Sequence, residues 1–206
     1  MKTCYTDNQW SGTNKPYAIR EGYSWLRPHN HQANWAPMVW NNWNFPKYSM
    51  IAWIVMNEGL KVEAKLLQFG TCPDDRCCNC DNASETQSHF FFECPYSRRV
   101  MNAVKQWCGF RINVNMAGWL SHTAGTSLKK QVHFLIWTAC YAHIWYQRNN
   151  ARLNATLVLP DKLAAIIKAE VQGRVRFNLR LLSPGVQDQL NGSEVTWLQK
   201  WGVVVR

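Results

Sequence analysis

Apolar positions recur at helical spacing along most of the chain. Ile19, Tyr23 and Leu26 fall at i, i+4, i+7 and predict a short helix over Tyr17–Leu26. Trp35, Val39, Trp40 and Trp43 predict another over Trp35–Trp43. Ser49–Asn57 is apolar nearly all round, which predicts a buried helix ended by Gly59. Val62–Phe69 reads as a short helix closed by Gly70, and Tyr96–Trp107 as one closed by Gly109. Leu128–Arg152 is the longest candidate, with Val132, Leu135, Ile136, Ala139, Cys140, His143 and Ile144 on one face. A last helix is expected from about Asp161 to Leu182, with Pro160 suited to its first turn and Ser183-Pro184-Gly185 stopping it. Residues 109–127 read as turn-rich, and the last twenty residues carry no clear pattern. The class is mainly α with no large sheet.

Between the fourth and fifth of these helices lies a compact loop, Cys72 to Pro95, holding five of the eight cysteines. Cys77, Cys80, His89 and Cys94 space as C-x2-C-x8-H-x4-C. Zinc takes four nitrogen or sulfur ligands in a tetrahedron, and four protein ligands leave no open position, so one structural Zn²⁺ is expected. Cys72 and Cys78 are near enough in sequence to substitute for a ligand.

Charge changes the picture at the other end. The chain has 206 residues and a formal net charge of +10. Residues 111–206 carry twelve basic and four acidic side chains, while residues 71–110 are close to neutral. Arg98 and Arg99 open the helix after the cysteine loop, and Lys129, Lys130, Arg148 and Arg152 lie on the long helix. Such groups neutralise phosphates, so they are candidate nucleic-acid contacts. Lys162, Lys168, Arg174, Arg176 and Arg180 add to the surplus, although Arg174, Arg176 and Arg180 also fit a solvated helix face. Twelve Trp point to packed or stacking surfaces.

The flanks of the cysteine loop are more specific than its spacing. Glu85-Thr86-Gln87-Ser88-His89-Phe90-Phe91-Phe92-Glu93-Cys94-Pro95-Tyr96-Ser97 resembles the E-T-x-x-H-L-F-F-x-C-P-x-S signature of the zinc-binding region that follows the reverse transcriptase in plant non-LTR retrotransposon polyproteins. Tyr17–Tyr23, Trp35–Trp40, Phe45–Trp53 and Leu66–Gly70 are similar to upstream motifs of that family, and His143–Asn149 is similar to its H-I-W-x-x-R-N. The chain departs from it in placing Cys78 and Asn79 inside the C-x2-C pair, where the family has C-P-x-C. The resemblance implies a zinc-binding domain over 17–108, with 1–16 as a linker remnant, 109–185 as a basic helical region and 186–206 as a tail. It implies a nucleic-acid partner, RNA or an RNA–DNA hybrid in preference to DNA, for a non-catalytic excerpt of a larger element.

Catalytic parts are not expected. Two-metal chemistry needs paired carboxylates, and the one acidic pair, Asp74-Asp75, follows Pro73 and reads as a solvated turn. Cys140 with His133 and His143 reads as core packing and not as a nucleophile pair. The alternative to nucleic-acid binding is a protein-docking scaffold using an exposed apolar patch at Phe90, Phe91 and Phe92, or a relic without selected activity. No apolar run reaches the roughly 20 residues of a membrane helix, and the opening residues resemble neither a secretory signal nor a transit peptide. A nuclear or cytoplasmic location is the expectation.

Overall fold

The computed structural model describes residues 5–6, 9–10, 33–109, 127–182 and 192–203. The Tyr17–Leu26 helix, the 109–127 turns beyond Gly109 and the 183–185 stop lie outside these residues. Two compact units are present, Met1–Ala33 and Asn34–Arg206. In the first, strands β1 (Tyr5–Thr6) and β2 (Gln9–Trp10) pair antiparallel, Tyr5 opposite Trp10.

The second unit is helical: α1 (Ala36–Val39), α2 (Pro46–Met56), α3 (Glu63–Gln68), a π-helical turn (His89–Glu93), α4 (Pro95–Cys108), α5 (Leu128–Asn154), α6 (Pro160–Leu181) and α7 (Gly192–Lys200). Proline occupies the first turn of α2, α4 and α6, where its missing N–H would have no intrahelical acceptor. Gly109, at φ +68, closes α4 in the left-handed conformation.

Four features differ from those the sequence predicts. The helix expected over Trp35–Trp43 stops at Val39. Asn44 donates its side-chain amide to the carbonyls of Met38 (2.7 Å) and Val39 (3.1 Å), and Asn41 Oδ1 accepts from the Trp43 amide. Local asparagine bonds of this kind compete with a further helical turn. α2 is not buried all round: Met50 and Trp53 are exposed on its outer side. Glu58, not Gly59, takes the left-handed φ after α2, and Gly59 serves a close approach, since a Cβ there would lie 3.2 Å from an Ile54 methyl. The patternless C-terminus holds α7, whose Trp197 packs on Trp201.

α5 is the central element. Its 27 residues span about 40 Å at 1.5 Å per residue. From Phe134 to Ile144 every residue is buried, because α1, α2 and α6 pack around it. Phe91 meets Tyr141 edge-on with centroids 4.7 Å apart, and Phe90 meets Trp145 at 6.0 Å, so the π-helical turn also rests on α5. Cys140 is fully buried and burial pushes its thiol up, in keeping with a packing role.

A polar knot fastens three helices inside this core. Tyr48 of α2 donates its hydroxyl to the Glu170 carboxylate of α6. His143 Nε2 of α5 lies 3.0 Å from the Tyr48 oxygen and 3.1 Å from Glu170 Oε2. Burial alone would raise the Glu170 pKa, but the bonds from Tyr48 and His143 and the charge of Lys47 bring it below the usual carboxylate range. A folded-state pKa below the unfolded value of about 4.3 stabilises the fold above that pH and ceases to do so as pH falls through the folded value. Glu170→Gln should therefore lower the denaturant midpoint more at pH 6 than at pH 3. An equal effect at both values would remove the carboxylate's charge from the account.

Candidate metal centre

Two short pieces of chain supply the four donors. The first is the Cys77–Cys80 turn. The Cys77 amide donates to the Ala83 carbonyl (2.8 Å), and the Cys77 carbonyl accepts from Asp81 (2.7 Å), which adopts a positive φ to make the return. An isolated bridge, Arg76 with Ser84, closes the base. The second is the π-helical turn. In an α-helix, residues five apart are separated by about 140° of rotation. The i→i+5 turn, closed by the Cys94 amide on the His89 carbonyl at 2.7 Å, brings His89 and Cys94 to the same side. The x4 spacing between them is one wide turn of this kind.

The donor atoms of Cys77, Cys80, His89 and Cys94 all lie within 4.8 Å of one another. Cys77 and Cys94 sulfurs are 3.9 Å apart, and Cys80 Sγ is 3.4 Å from His89 Nε2. A tetrahedron with zinc–sulfur bonds of about 2.3 Å and zinc–nitrogen bonds of about 2.0–2.1 Å has edges of about 3.8 Å and about 3.6 Å. The cluster therefore fits one zinc ion with all four positions filled by protein. Zinc there supplies a structural crosslink between the two pieces of chain.

The electrostatics favour a thiolate at Cys94. The Cys77 thiol donates to it and the amides of Ser97 and Tyr96, at the start of α4, add to the effect, against the opposing cost of burial. Its pKa is lowered to about 5. The same hydrogen bond and burial push Cys77 up.

Cys72 and Cys78 face elsewhere. Cys78 Sγ lies 3.4 Å from Glu63 Oε1, and burial with the nearby Glu85 and Glu63 carboxylates pushes its thiol up to about 12. Cys72 Sγ contacts the carbonyls of Asp74 and Glu63. Asp74 is exposed and pairs with Arg76, as a solvated turn should.

The predicted phosphate contacts do not share one surface role. Arg98 is exposed at the start of α4. Arg99 is exposed but paired with Asp161 at 2.7 Å. Lys129 and Lys130 are half-buried in the first turn of α5, Lys130 lying 6.0 Å from the Phe134 ring centre. Arg148 corrects the expectation. It is 3% exposed and clamps two acidic groups: its Nε donates to Glu85 Oε1 and its Nη2 to Glu63 Oε1, both at 2.9 Å. Arg152 joins Glu63 from the exposed side at 3.1 Å. Its charge is thus also committed within the protein.

This clamp is what the sequence reading missed. Glu85 is fully buried, and its carboxylate also accepts from the amides of Glu63 (3.0 Å) and Cys78 (3.1 Å). One side chain therefore holds the C-x2-C turn, α3 and α5 together. Glu85 and Arg148 both sit inside the motifs that resemble the zinc-binding family, but nothing in those motifs pairs the two.

A helical domain whose C-x2-C turn and histidine–cysteine turn converge on one Cys₃His cluster has the donor set of a structural zinc module. Residues 17–100 match the family described as zinc-binding in reverse transcriptase. The match contains all four donors and ends within α4. No curated protein and no solved structure matches the chain. Among the described residues, no helix is long and apolar enough to cross a membrane.

Proposed function

We propose that the chain is a non-catalytic nucleic-acid-binding fragment of a retrotransposon reverse-transcriptase polyprotein, acting on RNA or an RNA–DNA hybrid in the nucleus or cytoplasm. The observation that carries this reading is the closed Cys₃His cluster within a reverse-transcriptase zinc-binding domain. A closed site organises a surface and performs no reaction. The surplus of cations after residue 110 supplies the complementary charge.

The scaffold alternative loses its motivating observation. Phe90 and Phe91 are fully buried and Phe92 is partly buried, so the three do not form an exposed patch.

Binding of zinc-loaded protein to labelled RNA should weaken steeply with salt, because each neutralised phosphate contributes about 0.7–0.9 to the log–log slope. Arg98→Ala should reduce that slope by about that amount, and Arg99→Ala by less, because Arg99 is already paired. Absence of binding, or a salt-independent affinity, would refute the reading.

A further inference from the structure

The outward side of α6 lies beyond the matched domain and carries cations without acids. At 100° per residue, Lys162, Arg176 and Arg180 fall opposite the buried Leu163, Ile167, Val171 and Val175. All three are exposed, and none pairs with a carboxylate among the described residues. The two acids of the helix are engaged elsewhere. Asp161 pairs with Arg99, and Glu170 turns toward Tyr48 and His143.

An aromatic ring flanks these cations, about 60° round the helix from Arg180. Phe177 is 51% exposed, yet its base is built. The Arg174 guanidinium lies 5.4 Å from the Phe177 ring centre and 5.2 Å from that of Phe45. Its own N–H groups donate to the carbonyls of Trp43 and Asn44, each at 3.0 Å. A guanidinium fixed by backbone carbonyls holds the ring in place while leaving it half in solvent. Between Lys162 and Arg176 the helix presents Ala165, Ala169 and Gly173, so its surface is low there. Among the described residues a Cβ on Gly173 would meet nothing within 4 Å, so none of them requires glycine at that position.

We infer that this face binds single-stranded nucleic acid, with phosphates on Lys162, Arg176 and Arg180 and an unpaired base stacked on Phe177. The inference rests on the nucleic-acid reading above and gives it a location. Lys162 to Arg180 spans about 27 Å of helix, enough for several nucleotides. Stacking on an exposed ring requires a base released from pairing, which selects single strands over duplex. Arg176 also donates to the Gly202 carbonyl at 2.8 Å, which fixes its direction without neutralising its charge.

The test is fluorescence anisotropy with the full zinc-loaded chain, using a short labelled oligouridylate and a duplex of equal length. The oligouridylate should bind more tightly than the duplex. Phe177→Ala should weaken it about tenfold, and Phe177→Leu, which keeps bulk without an aromatic face, should do nearly the same. Arg176→Gln with Arg180→Gln should lower the salt slope by about 1.4. Cooperative melting close to that of the wild type establishes that the variants are folded. If the wild type binds oligouridylate and the Phe177 variants match it, or if duplex binds equally well, the inference is overturned and the broader reading stands. If the wild type binds neither probe, both are overturned.

Discussion

Cys80→Ala or His89→Ala is expected to abolish the amide fingerprint of residues 72–94 while the Leu128–Asn154 helix remains largely formed. Apart from the four donors, the loop is held by a few backbone bonds, by the Glu85 carboxylate, by the Gln87 amide on the Val55 carbonyl and by Phe90 and Phe91 against α5. Structural zinc contributes roughly 10–16 kcal/mol in small zinc modules, far more than those bonds. α4 and α5 each pack on α6 without involving the donors, with Val100, Val104, Ile144 and Ile167 in the shared core. Phe90 and Phe91 would leave Tyr141 and Trp145, so α5 should lose protection on that side without melting. Heteronuclear NMR of the variant resolves the two regions separately. Intact amide signals across 72–94 would contradict a metal-dependent loop.

Arg148→Met is expected to cost about 3–5 kcal/mol, the usual range when one partner of a buried ion pair is removed. The reason is what it leaves behind. Glu63 and Glu85 would keep their carboxylates in the interior with only Arg152 nearby, on the solvent side. For a chain of this length that corresponds to a fall in melting temperature of about 10 °C. Arg148→Met combined with Glu63→Gln and Glu85→Gln should be less destabilised than Arg148→Met alone, since removing both charges together avoids orphaned carboxylates. A single variant within about 1 kcal/mol of wild type, measured by urea denaturation, would contradict the clamp; that threshold lies below the range for broken buried pairs.

The metal centre was legible because its geometry is local. All four donors fall between Cys77 and Cys94, and their spacing together with the flanking motif marks them, although Cys72 and Cys78 stood as substitutes until the structure placed them elsewhere. The helices were legible where a strong apolar period meets proline and glycine punctuation, as in Pro95–Cys108 and Pro160–Leu181. Arg148 was not legible. In one dimension an arginine near the end of a polar-tipped helix is indistinguishable from a solvated one. Its partners lie 63 and 85 positions away. The same holds for Tyr48, His143 and Glu170, which meet only because three helices cross. The Trp35–Trp43 period predicted a longer helix than forms because Asn41 and Asn44 offer the backbone nearer partners. The apolar look of Ser49–Asn57 overstated burial, since hydrophobicity alone does not say which side faces solvent.

The central claim is that this chain is organised by one structural zinc ion. It is tested most directly by metal analysis of protein purified without added metal, for the wild type and for Cys77→Ser with Cys80→Ser. One zinc per wild-type chain and none in the double variant is the expected result. A folded wild type without zinc, or a double variant that retains it, would contradict the claim.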